Sequence, residues 1–275
     1  MAVLAAFRGR RRKERRARRG LFLLPSMFTV ANLFCGYACL VYTLRGEFAT
    51  AAPFLGIALV LDTLDGRIAR LTGAASAFGE EFDSLADIVS FGVAPAILTS
   101  AWGLAPFGRL GWAAGFLFVV AAATRLARFN IQSATVDKRY FVGMPSPAAA
   151  CVLAATVFVS PAPLTTVAEA LPVLLVVLLP AALMVTTLRF RSFKEINLGH
   201  RRSYLPLLAI AGIIAVITAH PPFVLAGMAY TYLASGPIEA LIGRVRRRGT
   251  PELAEAAAVE PDAASSGTDG PVRFN

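Results

Sequence analysis

The apolar residues of this chain are gathered into eight blocks that meet or approach the length of a membrane span, and this restricts the fold more than any other feature. A helix needs about 20 apolar residues to cross the hydrocarbon core. Lipid offers no partner to a backbone polar group, so the crossing segments must satisfy their own hydrogen bonds. The expected fold is all-α: a polytopic transmembrane helical bundle of about eight spans. Several spans are short or contain proline, which leaves six or seven as alternatives. The spans fall near residues 27–44, 48–71, 84–104, 110–128, 145–160, 167–188, 203–220 and 222–242. Composition agrees, with 56% hydrophobic and only 16% charged residues, where a soluble domain carries nearer a quarter charged.

The net charge of +10 raises nucleic acid as a partner, and its distribution argues against it. Nine basic residues crowd between Arg8 and Arg19, ahead of the first span. With eight spans and the N-terminus inside, the outer loops near 45–47, 104–110, 160–166 and 220–222 hold two basic residues, Arg45 and Arg109. The other 25 of 27 lie in inner segments or at adjoining helix ends. That is the positive-inside pattern, with attraction to anionic lipid as its further consequence. The expected location is a bacterial-type cytoplasmic membrane, with both termini on the cytoplasmic side. The apolar stretch 21–44 is too long for a signal-peptide core and no small-x-small site follows it, so it reads as a retained span. Residues 1–20 read as a basic tail, 21–248 as the membrane domain, and 249–275, rich in Ala, Glu, Asp, Ser and Gly, as a disordered tail. Cys35, Cys39 and Cys151 lie in apolar stretches without metal-ligand spacing and read as packing residues. His200 and His220 read as polar loop residues.

The chemistry concentrates in Asp62-Thr-Leu-Asp65-Gly66-Arg-Ile-Ala69-Arg70 and, eight residues on, Gly79-Glu-Glu-Phe-Asp83-Ser-Leu-Ala-Asp87. Residues three and four apart share a helix face, so Asp62, Asp65 and Ala69 align, as do Asp83 and Asp87. A turn near 72–76 brings the two helix ends together, and four carboxylates converge at the cytoplasmic ends of the second and third spans. An Asp at the centre of a span costs about 2.5–3.5 kcal/mol. Intramembrane acids therefore face polar cavities and mark function. Clustered acids also repel unless cations neutralise them. Hard oxygen ligands select Mg²⁺ or Mn²⁺, and two such ions suit in-line displacement at phosphorus. Gly66 lets a nucleotide approach the backbone, and Arg70 one turn on can bind a pyrophosphate. The bland alternative is a set of capping and solvated charges at helix ends.

The spacing D-x2-D-G-x2-A-R-x8-G-x3-D-x3-D resembles the signature of the CDP-alcohol phosphotransferase family, matched without a gap by Asp62, Asp65, Gly66, Ala69, Arg70, Gly79, Asp83 and Asp87. The resemblance implies that Asp62, Asp65, Asp83 and Asp87 ligate two divalent cations and that Asp87 is the general base. It implies that Gly66, Ala69, Arg70 and Gly79 contact the CDP part of the donor. It also implies a membrane-embedded homodimer with a site open to the cytoplasm and to lipid. Upstream, Pro25-Ser-Met-Phe-Thr29-Val-Ala-Asn32-Leu-Phe-Cys-Gly36 is similar to the first-span motif of that family. Thr29 and Asn32 then line the nucleotide site, or they make ordinary hydrogen bonds between helices.

The signature does not select the acceptor alcohol. Thr124-Arg125-Leu-Ala-Arg128-Phe129-Asn130, Gly143-Met-Pro145-Ser146-Pro147 and Val185-Thr-Thr-Leu-Arg189-Phe-Arg191-Ser-Phe193-Lys194 resemble the phosphatidylserine synthase branch of the family. Ser235-Gly-Pro-Ile-Glu239 extends the likeness over most of 21–243. The resemblance implies transfer of a phosphatidyl group from CDP-diacylglycerol to L-serine, with release of CMP. Arginine can bind the serine carboxylate bidentately, which makes Arg125, Arg128, Asn130 and Ser146 the candidate serine-binding residues. Each has a plainer alternative: positive-inside anchoring for the arginines, helix capping for Asn130, and a helix start for Ser146. Two other readings of the chain stay open here. One keeps the chemistry with another acceptor, such as glycerol 3-phosphate or inositol phosphate, or with an archaeal-type lipid donor. The other is a small-solute transporter.

Overall fold

The structure, a computed structural model, describes residues 26–72, 76–133, 141–186, 189–190, 211–212, 215–216 and 218–238. Its main helices are α1 (Ser26–Leu44), α2 (Phe48–Thr72), α3 (Ala77–Phe107), α4 (Arg109–Ser133), α5 (Ser146–Val159), α6 (Val167–Val185) and α7 (221–238). Helices α1, α2, α3, α4 and α6 are each long and apolar enough to cross a membrane. The chain is an all-α integral membrane bundle. The expected spans 27–44, 48–71, 110–128 and 145–160 coincide with helices to within a few residues, and that at 167–188 ends at Val185. The span expected over 203–220 falls largely outside the described residues, as do the tails 1–20 and 249–275. The helix at 221–238 matches the described part of the span expected over 222–242.

Helix α5 has only 14 residues, yet it is central. Ala149, Ala150, Val152, Leu153 and Val157 are all fully buried. It packs between α2 and α6, and α6 packs in turn along α4. The small side chains of α5 allow close helix approach, which is how bundles pack where water gives no drive between helices. The core continues through Leu55, Leu98, Phe118 and Met184.

The third span begins earlier than expected, at Ala77 instead of near residue 84. Ser76 caps it: the Ser76 side chain accepts a hydrogen bond from the Gly79 backbone N–H at 3.0 Å. The polar stretch 77–83 is thus helical, because a capped amphipathic turn needs no apolar run to form. α3 is also not uniform. It is α-helical over Ala77–Asp87, widens to π turns at Ile88–Val93 and Ser100–Leu104, and tightens at Ala105–Phe107. In the first π turn Ala94 N–H donates to Val89 O, five residues back. Pro95 follows at once and has no N–H to give. Proline inside a helix clashes with the carbonyl four residues earlier, and a widened turn relieves that clash.

One short strand pair interrupts the helices. Phe141–Val142 (β1) pairs antiparallel with Arg189–Phe190 (β2), Phe141 opposite Phe190. Gly143 follows at φ +85, and a Cβ there would sit 2.6 Å from Met184 O. Only glycine tolerates both demands. Met144 N–H then donates to Leu183 O at 3.1 Å, tying the start of α5 to the end of α6.

Candidate active site

The last third of α2 and the first third of α3 carry the acids. α2 is 25 residues long, or about 38 Å at 1.5 Å per residue, against a hydrocarbon core of about 30 Å. Asp62 to Arg70 therefore lie toward the membrane boundary, where polar groups cost least. Asp62, Asp83 and Asp87 come together, with one carboxylate oxygen from each lying within 4.8 Å of the others. Asp65 is adjacent and buried, and its Oδ2 accepts the Thr29 hydroxyl at 2.9 Å. All four carboxylates are within electrostatic reach of one another.

Such a cluster is compatible with bound cations. At an effective dielectric of about 20, two carboxylates about 4–5 Å apart repel by roughly 3–4 kcal/mol. Arg125 is within electrostatic reach of Asp87 and Asp62 and offers one compensating charge. Asp83 Oδ1 is buried and has no hydrogen-bond partner. Buried polar atoms are almost always partnered, so an unpartnered oxygen on a carboxylate that converges with two others fits a hard divalent cation. Three of the four expected ligands thus converge on one point. The fourth, Asp65, stands beside them in the hand of Thr29.

α1 closes the site from one side. Asn32 is fully buried, and its Nδ2 donates to Asp87 Oδ1 at 3.2 Å. Its Oδ1 is buried without a partner. Asp87 accepts only at its oxygens when ionised, which fixes the amide with nitrogen toward the acid. Thr29 and Asn32 therefore do make hydrogen bonds between helices, but to the acids themselves. Gly66 and Arg70 lie together at the C-terminal end of α2: a Cβ on Gly66 would come 3.7 Å from Arg70 Nη1. Arg70 is exposed, and Ala69 is half-buried beside it. Gly79 serves the α3 cap through its N–H, and a Cβ there would come 3.1 Å from Ser76 Oγ.

The four candidate acceptor residues separate into two pairs. Arg125 Nη1 donates to Ser146 Oγ at 3.1 Å, so α4 and α5 meet beside the acids. Arg128 Nη1 donates instead to Val185 O at 3.1 Å, at the C-terminal end of α6, where a cation complements the helix dipole. Asn130 Nδ2 donates to Ser84 Oγ at 2.9 Å and links α4 to α3. Arg125 and Ser146 are brought to the cluster, whereas Arg128 and Asn130 engage neighbouring helices.

Two residues at the site, Ser90 and Tyr232, were not singled out from sequence. Ser90 is fully buried and donates to Asn32 O at 3.0 Å. Gly36 lies against it, since a Cβ there would be 2.6 Å from Ser90 Oγ. Tyr232 of α7 is half-buried and within electrostatic reach of Arg125. A signal existed for Ser90, a hydroxyl three residues beyond Asp87 at the head of a long apolar run. None existed for Tyr232, whose approach depends on tertiary packing.

Comparison with known proteins agrees with this geometry. The sequence model of the CDP-alcohol phosphatidyltransferase family matches residues 22–188. A Helicobacter pylori protein named CDP-diacylglycerol–serine O-phosphatidyltransferase is 42% identical over 179 residues, covering 64% of this chain and 75% of that protein. A Mycobacterium leprae protein of the same name is 42% identical over 135 residues, 47% of this chain and 45% of its own length. An archaetidylserine synthase from Methanothermobacter thermautotrophicus is 36% identical over 132 residues, 47% of this chain and 55% of its own length. The acid cluster, the membrane helices and the extent of the match lead to one placement, which displaces the transporter reading: the chain belongs to the CDP-alcohol phosphatidyltransferase family.

Proposed function

We propose that the chain is a phosphatidylserine synthase, transferring the phosphatidyl group of CDP-diacylglycerol to L-serine and releasing CMP. The observation that carries serine as acceptor is the Arg125–Ser146 contact of 3.1 Å beside Asp87. It supplies a guanidinium for a carboxylate next to a carboxylate able to take a hydroxyl proton. The names borne by the relatives point the same way.

In this reading Asp62, Asp65, Asp83 and Asp87 hold two divalent cations, Mg²⁺ or Mn²⁺. When bound, these neutralise phosphate charge and polarise the reacting oxygens. Arg70 binds the pyrophosphate where Gly66 leaves the α2 surface bare. Thr29, Asn32, Ala69 and Gly79 border the nucleotide, with the free Asn32 Oδ1 as an acceptor for a donor on the ligand. Arg125 and Ser146 orient serine, with Arg128 and Asn130 at the rim. Asp87 takes the hydroxyl proton as the serine oxygen bonds to the β-phosphorus, and the bond from that phosphorus to the bridging oxygen of CMP breaks. No covalent enzyme intermediate forms.

Thr29 at the start of α1 and the acids of α2 and α3 share one end of the bundle, the end to which the basic N-terminal tail leads. By the positive-inside rule this end faces the cytoplasm, with both termini. We read 21–248 as one membrane domain that works as a homodimer among membrane lipids, with no nucleic acid involved. The deciding test is CMP release by the purified protein across serine, glycerol 3-phosphate and inositol phosphate, with and without divalent cation. Release dependent on both serine and cation is expected. Release with another acceptor alone overturns the assignment. Because one relative is an archaetidylserine synthase, the panel should include a CDP-archaeol donor. Turnover of that donor in preference to CDP-diacylglycerol would reassign the lipid and keep the acceptor.

A further inference from the structure

We propose that Ser90 and Gly36 are positioning residues for Asp87, acting through Asn32 at the crossing of α1 and α3. This rests on the reading of Asp87 as general base and cation ligand, and adds to it the device that aims the carboxylate.

The chain of contacts is continuous. Ser90 Oγ donates to Asn32 O at 3.0 Å, and Asn32 Nδ2 donates to Asp87 Oδ1 at 3.2 Å. Ser90 and Asn32 are fully buried, so the bond between them is shielded from water. The Asn32 carbonyl lies inside α1, where Gly36 is its helical partner four residues on, and Ser90 meets its second lone pair. α1 and α3 approach closely enough for this because position 36 has no side chain: a Cβ there would stand 2.6 Å from Ser90 Oγ and 2.9 Å from Ser90 Cα. The second of these atoms is backbone, so a larger residue must push the helices apart. The π turn Ile88–Val93 begins immediately after Asp87 and contains Ser90. It is wider than an α turn, and at its start Asp87 and Ser90 both reach α1, one through the side chain of Asn32 and the other through its backbone. A carboxylate that accepts a proton and binds a cation must be held to a fraction of an ångström, and groups behind the ligand do this work. Their loss costs about 10–100-fold in metal affinity or activity.

The test is a double-mutant cycle on the full chain in lipid nanodiscs, using Ser90→Ala, Asn32→Ala and the pair. Three quantities are read: kcat and KM for CMP release, the affinity for Mn²⁺ alone from the paramagnetic resonance of the free ion, and the melting temperature. Ser90→Ala should lower kcat and weaken Mn²⁺ binding by about tenfold or more, with KM for CDP-diacylglycerol within about twofold. In the Asn32→Ala background the same change should cost almost nothing. Gly36→Ala, made from the other helix, should reproduce the Ser90→Ala effect even if that variant folds poorly. Equal losses in both backgrounds, or a melting decrease with kcat and Mn²⁺ affinity intact, would overturn the relay and leave Ser90 as a packing residue. If the wild-type protein releases no CMP with serine, the functional assignment fails, while the Mn²⁺ arm still decides the relay.

Discussion

The two ends of the bundle differ in how fully their polar groups are satisfied. At the end remote from the acids, side chains close mainly onto backbone, with the Thr156–Tyr230 hydroxyl pair at 2.7 Å as a bond between side chains. Trp102 Nε1 donates to both Ser160 O and Ala162 O at 2.9 Å, and Leu164 N–H donates back to Trp102 O. Thr166 and Glu169 complete a capping box at the start of α6. At the acid end, side chains bond to side chains across helices as well as to backbone, and two buried oxygens, Asn32 Oδ1 and Asp83 Oδ1, are left without partners. A folded protein rarely leaves such atoms idle. The first end is finished by folding alone, and the second is finished only when something binds. Stability and activity should therefore separate along the length of the molecule.

Four experiments test that separation, in falling order of expected effect. Chelation of divalent cations should abolish CMP release, and Mg²⁺ or Mn²⁺ should restore it. Persistence of release in chelator would remove the reason for the carboxylate cluster. Asp87→Asn should lower kcat by about 10²–10⁴, the usual contribution of a general base, while melting in detergent stays at or above the wild-type value because a like charge has gone. Arg125→Lys keeps the charge and loses the planar fork. Its serine KM should rise about tenfold or more with the KM for CDP-diacylglycerol unchanged, and an equal rise in both would place Arg125 outside the acceptor subsite. At the far end the sign of the contrast reverses. Thr166→Ala should cost about 1 kcal/mol of stability through the lost cap, measured by denaturation in mixed micelles, with kcat per folded molecule unaltered. A change in kcat there would show that the two ends are coupled.

Much of the acid end was legible in the sequence because helical spacing is a local property. Asp62 with Asp65, and Asp83 with Asp87, needed only a helix on each side of a turn to converge, and the structure supplies both helices. The stretch Gly143-Met-Pro-Ser-Pro likewise opens α5 as its residues dictate. Hydropathy misplaced the start of α3, because it registers lipid contact and misses the capped polar turn at Ser76–Gly79. It was blind to the π turns, whose residues are as apolar as any α turn. Arg125 and Arg128 show a further limit. They are one helical turn apart and chemically identical, yet one finds Ser146 and the other the end of α6. Only the placement of the neighbouring helices distinguishes them. For the same reason Ser90 and Tyr232 were not foreseen.

The π turn after Asp87 also makes this part of the chain sensitive to length. Removing a single residue from Ile88–Val93 would let the rod relax to α geometry with its hydropathy little changed. The two halves of α3 would then be out of phase by about 100°, and Asp87 would turn away from α1 while Trp102 kept its seat at the other end. Away from Ser90, substitutions in 88–93 that respect size should be tolerated, whereas insertions and deletions should not. In this segment the number of residues matters as much as their kind.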